Sequence, residues 1–392
     1  MKKVLFMLSS MNVGGVEKSF LSLLSTFPKN QYDVTLLLLE KKGGFLELVP
    51  EWVKIEEVHW YTSTKPIIMQ SPHQTVKGYL KNRQPHYIPG FITSYLLSKY
   101  LDDRYSYYKH ILKNIPFNQS IYDIAISYQG PTDIIDFYIA NKVKAKKKIT
   151  WVHFDVSKHY INQNLYQRLY SKFDQLNVVS KLASQELIKL FPSISNKVKV
   201  FPNIVGASII QSMSKEKVEF DDNFQGVKIL TVGRLSEEKG QDFAIMALSK
   251  LIKLGYDVRW YCIGEGKYRK QLEMMVKEHN LEKEFVLLGS TSNPYPYIAK
   301  ADIYVQTSRH EGYCLTLAEA RCLAKPIVTT NFIGAYEQIK DGENGFIVQM
   351  DDEEILRRIK LLIDNSEIRG KFSENLSNKV EMREGSSVSY LV

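Results

Sequence analysis

The chain has 392 residues, 44% of them hydrophobic and 24% charged, which are the proportions of a soluble globular protein. Because a single core rarely grows beyond about 250–300 residues, this length predicts two domains. No apolar run approaches the roughly 18–20 residues of a membrane span, and the first run stops at Leu8, which favours a buried strand over a signal peptide.

The net charge of +9 is carried by the first half of the chain. Residues 1–200 have 27 Lys and Arg against 15 Asp and Glu, whereas residues 201–392 have 25 against 28. This asymmetry predicts that the first half alone contacts phosphates or an anionic surface. The cysteines Cys262, Cys314 and Cys322 lack metal-binding spacing, so we expect free thiols in a reducing cytoplasm.

In the first half, apolar runs that predict buried parallel strands alternate with helical periods. These runs lie at 3–8, 33–39, 123–127, 148–152, 175–179 and 197–201. Gly14 and Gly15 open a helix after the first run, which gives a strand–helix–strand unit and an α/β fold. Between residues 59 and 116 the alternation stops. This insertion is rich in Tyr, Pro and Lys, has eight basic residues against Asp102 and Asp103, and is expected to be irregular.

A polar stretch at 205–225 is interpreted as a linker, after which a second α/β series begins. Its strands are predicted at 227–234, 258–263, 285–288, 303–306 and 326–329. A helix is predicted from 241 to 254 and ends at Gly255, which is a suitable C-terminal cap. From Ser366 the sequence is polar and weakly helical.

Two such series predict two Rossmann-like domains that face each other across a cleft. We expect an N-terminal domain at 1–205 and a C-terminal domain at 206–365, followed by a tail at 366–392 that returns to the N-terminal domain. Ligands of open α/β sheets bind beyond the carboxyl ends of the strands, so residues directly after strands are the candidates for function.

Basic residues lie at and after the end of the first strand of the second series. Arg234 ends that strand, and Lys239 precedes the next helix, whose N-terminus offers N–H groups and a partial positive charge. Together they predict a clamp for a diphosphate, although a solvated charged loop is the simpler alternative. Gly264 and Gly289 end the next two strands and by themselves indicate only tight turns.

Two carboxylates follow the fourth strand of this series. Glu311 lies in the loop, Gly312 allows close backbone approach, and Glu319 falls near the start of the next helix. The pair could hold sugar hydroxyls on either side of an anion. The alternative is structural, because Thr316 and Glu319 have the spacing of a capping box.

In the first half, Gly14 and Gly15 either leave room for a substrate or form a turn. His153 follows the strand at 148–152, where a packed polar residue is the ordinary interpretation.

Taken together, these residues resemble the glycosyltransferase family 4 enzymes of GT-B fold, over nearly the whole chain and most densely from Val227 to Val348. The resemblance rests on the E-x7-E pattern of Glu311 and Glu319 and on a set of shorter matches in the same order. These are Gly14-Gly15, Val179-Ser180-Lys181, Pro202-Asn203, Val232-Gly233-Arg234, Lys239-Gly240, Gly264-Glu265-Gly266, Lys325-Pro326-Ile327-Val328 and Asp341-Gly342-x-x-Gly345-Phe346. Ile204 and Cys314 stand where the family often has glycine.

The resemblance implies a retaining, metal-independent hexosyltransferase and a role for each matched residue. Arg234 and Lys239 would bind the donor diphosphate, Glu311 the transferred sugar and Glu319 the ribose. The other implied contacts with the donor are Gly15, Gly264, Gly289, Gly312, Tyr313, Cys314 and Leu315. His153, with Gly14 and Gly15, would meet the acceptor or the reaction centre. The chemistry would rest on His153, Arg234, Lys239 and Glu311, without cofactor or metal.

Other classes of protein fit parts of the pattern. A sugar epimerase or phosphorylase could share the fold, and a non-catalytic glycan- or nucleotide-binding module could share the site. A Rossmann oxidoreductase is disfavoured because the first loop, 9–15, lacks G-x-G-x-x-G.

The expected partners are a nucleotide sugar, with UDP as the family's commonest nucleotide, and a glycan acceptor linked to a lipid. The basic insertion at 59–116, with Lys142, Lys144, Lys146, Lys147 and Lys148, predicts contact with anionic lipid at the cytoplasmic face of a membrane, in synthesis of capsule or another surface polysaccharide. A merely solvated basic surface is the alternative, and no nucleic-acid-binding motif accompanies the charge.

Overall fold

The structure, a computed structural model, describes all residues except 155, 158–160, 219, 221–223 and 381–392. The chain divides into two compact units, Met1–Pro202 and Asn203–Val392. The division falls three residues before the predicted domain boundary.

The N-terminal unit is built on a parallel sheet of seven strands. They are β1 (Lys2–Leu8), β2 (Tyr32–Leu38), β3 (Lys54–Glu57), β4 (Ile121–Gly130), β5 (Lys144–Val152), β6 (Gln175–Val178) and β7 (Val198–Val200). The order in the sheet is β3-β2-β1-β4-β5-β6-β7, so the direction of winding reverses between β1 and β4. In β1, Val4–Leu8 are fully buried, as expected for a central strand covered by helices on both faces.

Eight helices accompany this sheet in the described residues. They are α1 (Gly15–Ser25), α2 (Tyr61–Met69), α3 (Pro72–Lys81), α4 (Ile88–Tyr100), α5 (Arg104–Ile111), α6 (Asp133–Lys142), α7 (Gln163–Tyr170) and α8 (Lys181–Leu190). The expectation of an irregular segment at 59–116 was wrong, since α2–α5 lie there. Prolines blurred their period: Pro66 lies inside α2, whereas Pro72 and Pro89 occupy first-turn positions that tolerate the missing N–H.

The C-terminal unit repeats the architecture with six parallel strands. They are β8 (Val227–Val232), β9 (Val258–Ile263), β10 (Phe285–Gly289), β11 (Ile303–Gln306), β12 (Ile327–Thr330) and β13 (Phe346–Val348). The order β10-β9-β8-β11-β12-β13 places the reversal of winding between β8 and β11. The five predicted strands of this series are confirmed, and β13 was missed because a three-residue strand shows no period.

The helices of the C-terminal unit include two in segments that were expected to be weakly structured. The set is α9 (Ala207–Met213), α10 (Gln241–Lys253), α11 (Arg269–Glu278), α12 (Tyr295–Lys300), α13 (Leu315–Cys322), α14 (Ile333–Gln338), α15 (Asp352–Asp364) and α16 (Ser366–Val380). The predicted linker contains α9, whose Ile210 is 3% exposed in the core. The predicted tail contains α16, whose Phe372 and Leu376 are buried in the core of the same unit. The rest of that tail, 381–392, lies outside the described residues.

Local sequence explains the one helix end that was predicted. Helix α10 ends at Lys253, and Gly255 follows in the left-handed region with φ +84°. The N–H of Gly255 donates to the Ile252 carbonyl (2.9 Å), and that of Tyr256 to the Leu251 carbonyl (3.2 Å). This is the glycine cap that the sequence predicts. Among the helices of the described residues, none combines the length and apolar composition needed to cross a bilayer.

Candidate active site

The candidate site lies at the carboxyl ends of β8 and β11, where the winding of the C-terminal sheet reverses. Because β8 and β11 are neighbours in the sheet, the loops that follow them meet although they are more than 70 positions apart. A switch point of this kind is where open α/β sheets bind ligands. The loop after β8 carries Arg234 and Lys239, and the loop after β11 carries Glu311.

Lys239 and Glu311 form an ion pair that joins the two loops. Both side chains are largely enclosed, with 20% of Lys239 and 13% of Glu311 exposed. Burial lowers the pKa of Lys239, but the attraction of Glu311 and the hydrogen bond to it outweigh burial, so this pKa lies above its ordinary value. A cation at this point therefore has a carboxylate as its counterion.

A chain of buried hydrogen bonds supports Glu311 from below. The Ser308 hydroxyl donates to Glu311 Oε1 (3.0 Å), and Gln306 Nε2 donates to the Ser308 hydroxyl (2.8 Å). Gln306 Oε1 in turn accepts from the hydroxyls of Tyr304 (2.7 Å) and Thr316 (3.2 Å). Tyr304, Gln306 and Ser308 are at most 1% exposed, so the orientation of Glu311 is set by the interior of the domain.

Glycines allow the two loops to approach. Gly240 has φ +66°, and a Cβ there would lie 2.0 Å from the Thr307 carbonyl oxygen. The Thr307 hydroxyl donates to the Lys239 carbonyl (3.1 Å), which completes the contact. At Gly233 a Cβ would meet nothing nearer than Lys239 Cδ at 3.8 Å and Gln306 Nε2 at 3.9 Å. Space for a ligand atom is thus left beside Lys239 at the end of β8.

Arg234 is placed on the same loop but stays outside the ion pair. Its side chain is 68% exposed, and Glu238 Oε1 lies 3.9 Å from its Nη1. Its carbonyl accepts from Gln241 Nε2 (3.0 Å), which fixes the backbone while the guanidinium faces solvent. Arg234 is therefore accessible to a bound anion.

Gly264 and Gly289 serve the packing of neighbouring loops. A Cβ on Gly264, which has φ +152°, would lie 1.9 Å from the Gly233 carbonyl oxygen. The N–H of Gly264 donates to the Gly289 carbonyl (2.8 Å), and Gly289 has φ +77°. These contacts account for both glycines, and their binding of a donor stays a prediction.

The backbone from Gly312 to Cys314 is held by α14. Gln338 Nε2 donates to the carbonyls of Tyr313 and, at 3.3 Å, Cys314. A Cβ on Gly334 would come within 2.7 Å of the Tyr313 Cα. Cys314 has φ +62° and is the N-cap residue of α13, which begins at Leu315 and has no side-chain cap. The first N–H groups of α13 thus lack the partner that an Asp or Ser cap supplies, and such groups are suited to bind an anion.

The alternative of a capping box at Glu319 was wrong. Because Cys314 adopts a left-handed conformation, α13 begins before Thr316, and Glu319 lies inside the helix. Glu319 is 2% exposed and hydrogen-bonds Tyr295, whose pKa is raised by burial and then by the charge of Glu319. The structure places this carboxylate against the Tyr295 hydroxyl, and its contact with a ribose stays a prediction.

The N-terminal unit holds the remaining predicted residues. Gly14 is the N-cap residue of α1, and a Cβ there would lie 2.4 Å from Glu17 Oε2. Gly15 is the first residue of that helix. The loop that contains them follows β1, and Ser9 at its start donates its N–H and hydroxyl to Gln129 Oε1 on β4 (2.7 and 2.5 Å). They lie at the switch point of their own sheet.

His153 follows β5 and is fixed by a backbone contact. Its Nε2 lies 2.7 Å from the Tyr128 carbonyl oxygen, which can only accept, so Nε2 carries a proton. The imidazole stacks on Trp151, with ring centroids 6.1 Å apart. Burial lowers the pKa of His153 to about 4. The ring is therefore neutral near pH 7, with Nδ1 as a hydrogen-bond acceptor.

The sequence interpretation missed the residues that support the candidate site, among them Gln306 and Ser308, which orient Glu311. Gln306, Thr307 and Ser308 follow one another where an apolar strand ends, and this run of polar residues was the available signal. No local sequence signal pointed to Tyr295 and Gln338, because they lie on α12 and α14. In the part of the chain that the structure describes, no group of three or more His, Cys, Asp or Glu side chains is placed to hold a metal.

Two Rossmann-like units, with polar side chains at the switch point of each sheet, define an α/β protein of GT-B fold. Residues 212–379 match the family model described as glycosyl transferases group 1. This match supports a place for the chain in the glycosyltransferase superfamily.

Proteins of similar sequence include glycosyltransferases. The chain is 28% identical, over 56% of its length, to N-acetylgalactosamine-N,N'-diacetylbacillosaminyl-diphospho-undecaprenol 4-alpha-N-acetylgalactosaminyltransferase of Campylobacter jejuni, of which the match spans 59%. It is 28% identical, over 43% of its length, to the capsular polysaccharide biosynthesis glycosyltransferase CapM of Staphylococcus aureus, of which the match spans 44%. The matches thus span about half of these relatives.

Solved structures share the fold of the whole chain. Anabaena Alr3699/HepE, in complex with UDP and glucose, matches with a TM-score of 0.72 and 17% identity, over 98% of this chain and 95% of that one. A single-site mutant of S. aureus TarM, in complex with fondaparinux, alpha-GlcNAc-glycerol and UDP, matches with a TM-score of 0.70 and 15% identity, over 100% of this chain and 98% of that one. Identities this low show the fold alone.

Proposed function

We propose that the chain is a retaining, metal-independent hexosyltransferase of glycosyltransferase family 4. It transfers a hexose or N-acetylhexosamine from a nucleotide sugar, UDP-linked, to a glycan acceptor. The observation that carries this proposal is the enclosed pair of Lys239 and Glu311 at the switch point. The exposed Arg234 lies on the same loop as Lys239, and the uncapped start of α13 follows Glu311 in the chain. Cationic groups and N–H donors there suit a diphosphate, and a carboxylate suits sugar hydroxyls.

The residues of the C-terminal unit divide between the two halves of the donor. Arg234, Lys239 and the first N–H groups of α13 bind the diphosphate. Glu311 accepts hydrogen bonds from the transferred sugar. When a diphosphate takes the place of Glu311 at Lys239, the carboxylate becomes available to the sugar. Binding of the diphosphate to Lys239 therefore also frees Glu311 for the transferred sugar.

The chemical step moves one bond and one proton. The bond between the anomeric carbon and the phosphate oxygen breaks, and the acceptor oxygen bonds to the same face of that carbon. The acceptor proton passes to the leaving phosphate, and a nucleoside diphosphate is released. Negative charge grows on the diphosphate in the transition state, where Arg234 and Lys239 are already placed to stabilise it. The unprotonated Nδ1 of His153 accepts a hydrogen bond from a hydroxyl of the sugar or of the glycan acceptor.

The acceptor is proposed to be lipid-linked, in synthesis of capsule or another surface polysaccharide at the cytoplasmic face of a membrane. The names of the Campylobacter and CapM relatives, which mention diphospho-undecaprenol and capsular polysaccharide, support this choice. Gly14 and Gly15 would leave room for the acceptor in the N-terminal unit.

A panel of nucleotide sugars tests the activity. Purified full-length chain, in buffer with EDTA, is expected to release nucleoside diphosphate slowly from one donor and to retain the anomeric configuration in the product. Lys239→Ala is expected to abolish release, whereas Lys283→Ala, an exposed lysine of the same unit, leaves it unchanged. Epimer formation without an acceptor, or release that needs a divalent cation, would contradict the proposal.

A further inference from the structure

One segment of the N-terminal unit has no acidic residue. Residues 58–101, which contain α2, α3 and α4, include five Lys or Arg and no Asp or Glu. At the average of this chain, 44 residues would carry about five acidic side chains. The electrostatic potential of this segment is therefore positive without internal compensation.

Helix α4 exposes an apolar face to solvent. Ile92, Leu96 and Tyr100 recur every four residues and are 42%, 44% and 71% exposed. With Pro89 and Lys99, which are also exposed, they lie within about 100° of the helix circumference, at 100° per residue. We call these five residues the α4 face. The core does not need this face, because α4 has a second apolar side.

That second side packs α4 into the unit. Phe91 is 1% exposed and contacts Tyr79 of α3, with ring centroids 5.8 Å apart, and Tyr107 of α5 at 6.2 Å. Ser94 on the same side is 5% exposed. The helix thus packs against α3 and α5 through this side, and the α4 face is exposed to solvent.

Exposed apolar side chains are concentrated in this segment. Of the fifteen large apolar side chains that are exposed in the described residues, six lie within residues 58–101. They are Met69, Leu80, Ile92, Leu96, Tyr100 and Leu101. Single exposed apolar residues are ordinary, but a concentration of them marks an interaction surface.

Four of the five basic side chains in residues 58–101 are not neutralised by an ion pair in the described part of the chain. Lys77, Lys81, Arg83 and Lys99 are exposed and take part in no ion pair within the described part of the chain. Lys65, by contrast, pairs with Glu40 (2.8 Å). Four charges therefore remain available to an anionic partner.

The first acidic residues after the face are engaged elsewhere. Asp102 accepts from Asn162 (2.5 Å) and Asn164 (3.2 Å) beside and on α7. Asp103 caps α5 and pairs with Arg168 (3.1 Å). Neither compensates the basic residues of α3 and α4.

We propose that the α4 face, with Lys77, Lys81 and Arg83, docks onto the surface of an anionic lipid bilayer. Ile92, Leu96 and Tyr100 enter the boundary between headgroups and acyl chains, and the lysines and Arg83 meet lipid phosphates. A second copy of the chain fits less well, since a twofold dimer would bring the same cations face to face. Nucleic acid would give the apolar side chains no partner.

Three of the five lysines at 142–148, which were predicted to add to this surface, have contacts inside the unit. Lys142 Nζ donates to the carbonyls of Lys113 (3.2 Å) and Ile115 (2.8 Å), and Lys148 Nζ donates to that of Ala140 (2.8 Å). Lys146 pairs with Asp123 (2.8 Å). Internal contacts therefore engage Lys142, Lys146 and Lys148, and the contribution of Lys144 and Lys147 to an anionic surface stays a prediction.

Vesicle flotation with the full-length chain tests the proposal. On phosphatidylcholine vesicles with about 30% phosphatidylglycerol, the wild type is expected to float, and binding should weaken as salt is raised. Ile92→Gln with Leu96→Gln should lower the partition coefficient about tenfold. Lys77→Gln with Lys81→Gln should lower it at least tenfold, on anionic vesicles only.

Matched controls lie in the C-terminal unit. Leu254→Gln removes an apolar side chain that is 58% exposed, and Lys283→Gln removes an exposed lysine, so both should float like the wild type. Circular dichroism and thermal unfolding of every variant should match the wild type. Since these readouts need no sugar donor, docking and glycosyl transfer can fail independently of each other.

Three outcomes would overturn the proposal. The first is equal binding of the wild type to pure phosphatidylcholine and to anionic vesicles, or no binding to either. The second is flotation that the α3 and α4 variants leave unchanged. The third is a wild-type dimer in sedimentation velocity that Ile92→Gln with Leu96→Gln dissociates, because the occupant of the face would then be a second copy.

Discussion

The Lys239 ammonium and the Glu311 carboxylate, 72 positions apart in the chain, form an enclosed ion pair across the carboxyl ends of β8 and β11. In the proposed reaction these two groups serve different parts of the donor. Before the donor binds, Glu311 therefore occupies the place of the diphosphate at Lys239, and Lys239 occupies the place of the sugar at Glu311. This relationship determines what the first substitution should do.

Glu311→Gln should separate binding of the nucleotide from transfer of the sugar. Without the carboxylate, Lys239 loses its counterion and is free for a diphosphate, so the Kd for UDP should fall about tenfold. The kcat/KM for transfer should nevertheless fall at least 10- to 100-fold, because the sugar loses a charged acceptor. Calorimetric titration with UDP and initial rates measure the two effects. UDP binding that is weakened together with transfer would show that Glu311 does not restrain Lys239.

Arg234→Ala should lower the rate without affecting the fold. Its guanidinium is 68% exposed, and its one ion pair within the described residues is the 3.9 Å contact with Glu238, so thermal unfolding should be unchanged. A charge-assisted hydrogen bond is worth about 1.5–3 kcal/mol, which predicts a loss of roughly 10- to 100-fold in kcat/KM. Arg234→Lys should recover part of the loss. Near-normal transfer by Arg234→Ala would remove this residue from the diphosphate clamp.

Ser308→Ala tests whether the buried hydrogen bonds orient Glu311. The variant removes the donor that lies 3.0 Å from Glu311 Oε1, so transfer should fall about tenfold. UDP lacks the transferred sugar that Glu311 is proposed to hold, so the Kd for UDP should not rise. A purely structural role for Ser308 would instead weaken binding of UDP and transfer to the same extent.

Gly240→Ala and Gly255→Ala form a matched pair. Both glycines have positive φ, +66° and +84°, so both substitutions should cost about 1 kcal/mol in the free energy of unfolding. Only at Gly240 would the new Cβ also collide with backbone, 2.0 Å from the Thr307 carbonyl oxygen. We expect a larger loss of stability and at least a tenfold loss of transfer for Gly240→Ala alone. Equal activity of the two variants would argue against a need for close contact between the loops.

His153 should make stability depend on pH. Its pKa is about 4 in the fold, below the ordinary value near 6.5, so the unfolded chain binds the proton first as pH falls. The contribution is fully present above pH 6.5 and should be lost between about pH 6.5 and 4, by roughly 3 kcal/mol. Urea unfolding of wild type and His153→Gln at several pH values measures it. A difference between them that does not change over this range would contradict a neutral imidazole whose pKa is lowered in the fold.

Local sequence patterns were sufficient to predict most strands of the two sheets. Apolar runs are the direct signature of strands buried on both faces, and Gly255 ends α10 because a left-handed residue is needed there. The helices at 61–111 were missed because four short segments rich in Tyr and Pro show no clear period. At Glu319 the capping-box spacing misled, because the start of α13 is set by the left-handed Cys314. That conformation depends on Gln338 and Gly334, which hold the loop from α14.

The sequence by itself determined that two α/β series exist and that Arg234, Lys239, Glu311 and His153 follow strands, because both features are local. The tertiary structure alone decided that Lys239 pairs with Glu311, since this depends on β8 and β11 being neighbours in the sheet. It also decided that Glu319 lies against Tyr295 and that α4 leaves an apolar face in solvent. Burial and pairing are properties of what packs around a residue, and the packing partners come from distant parts of the chain.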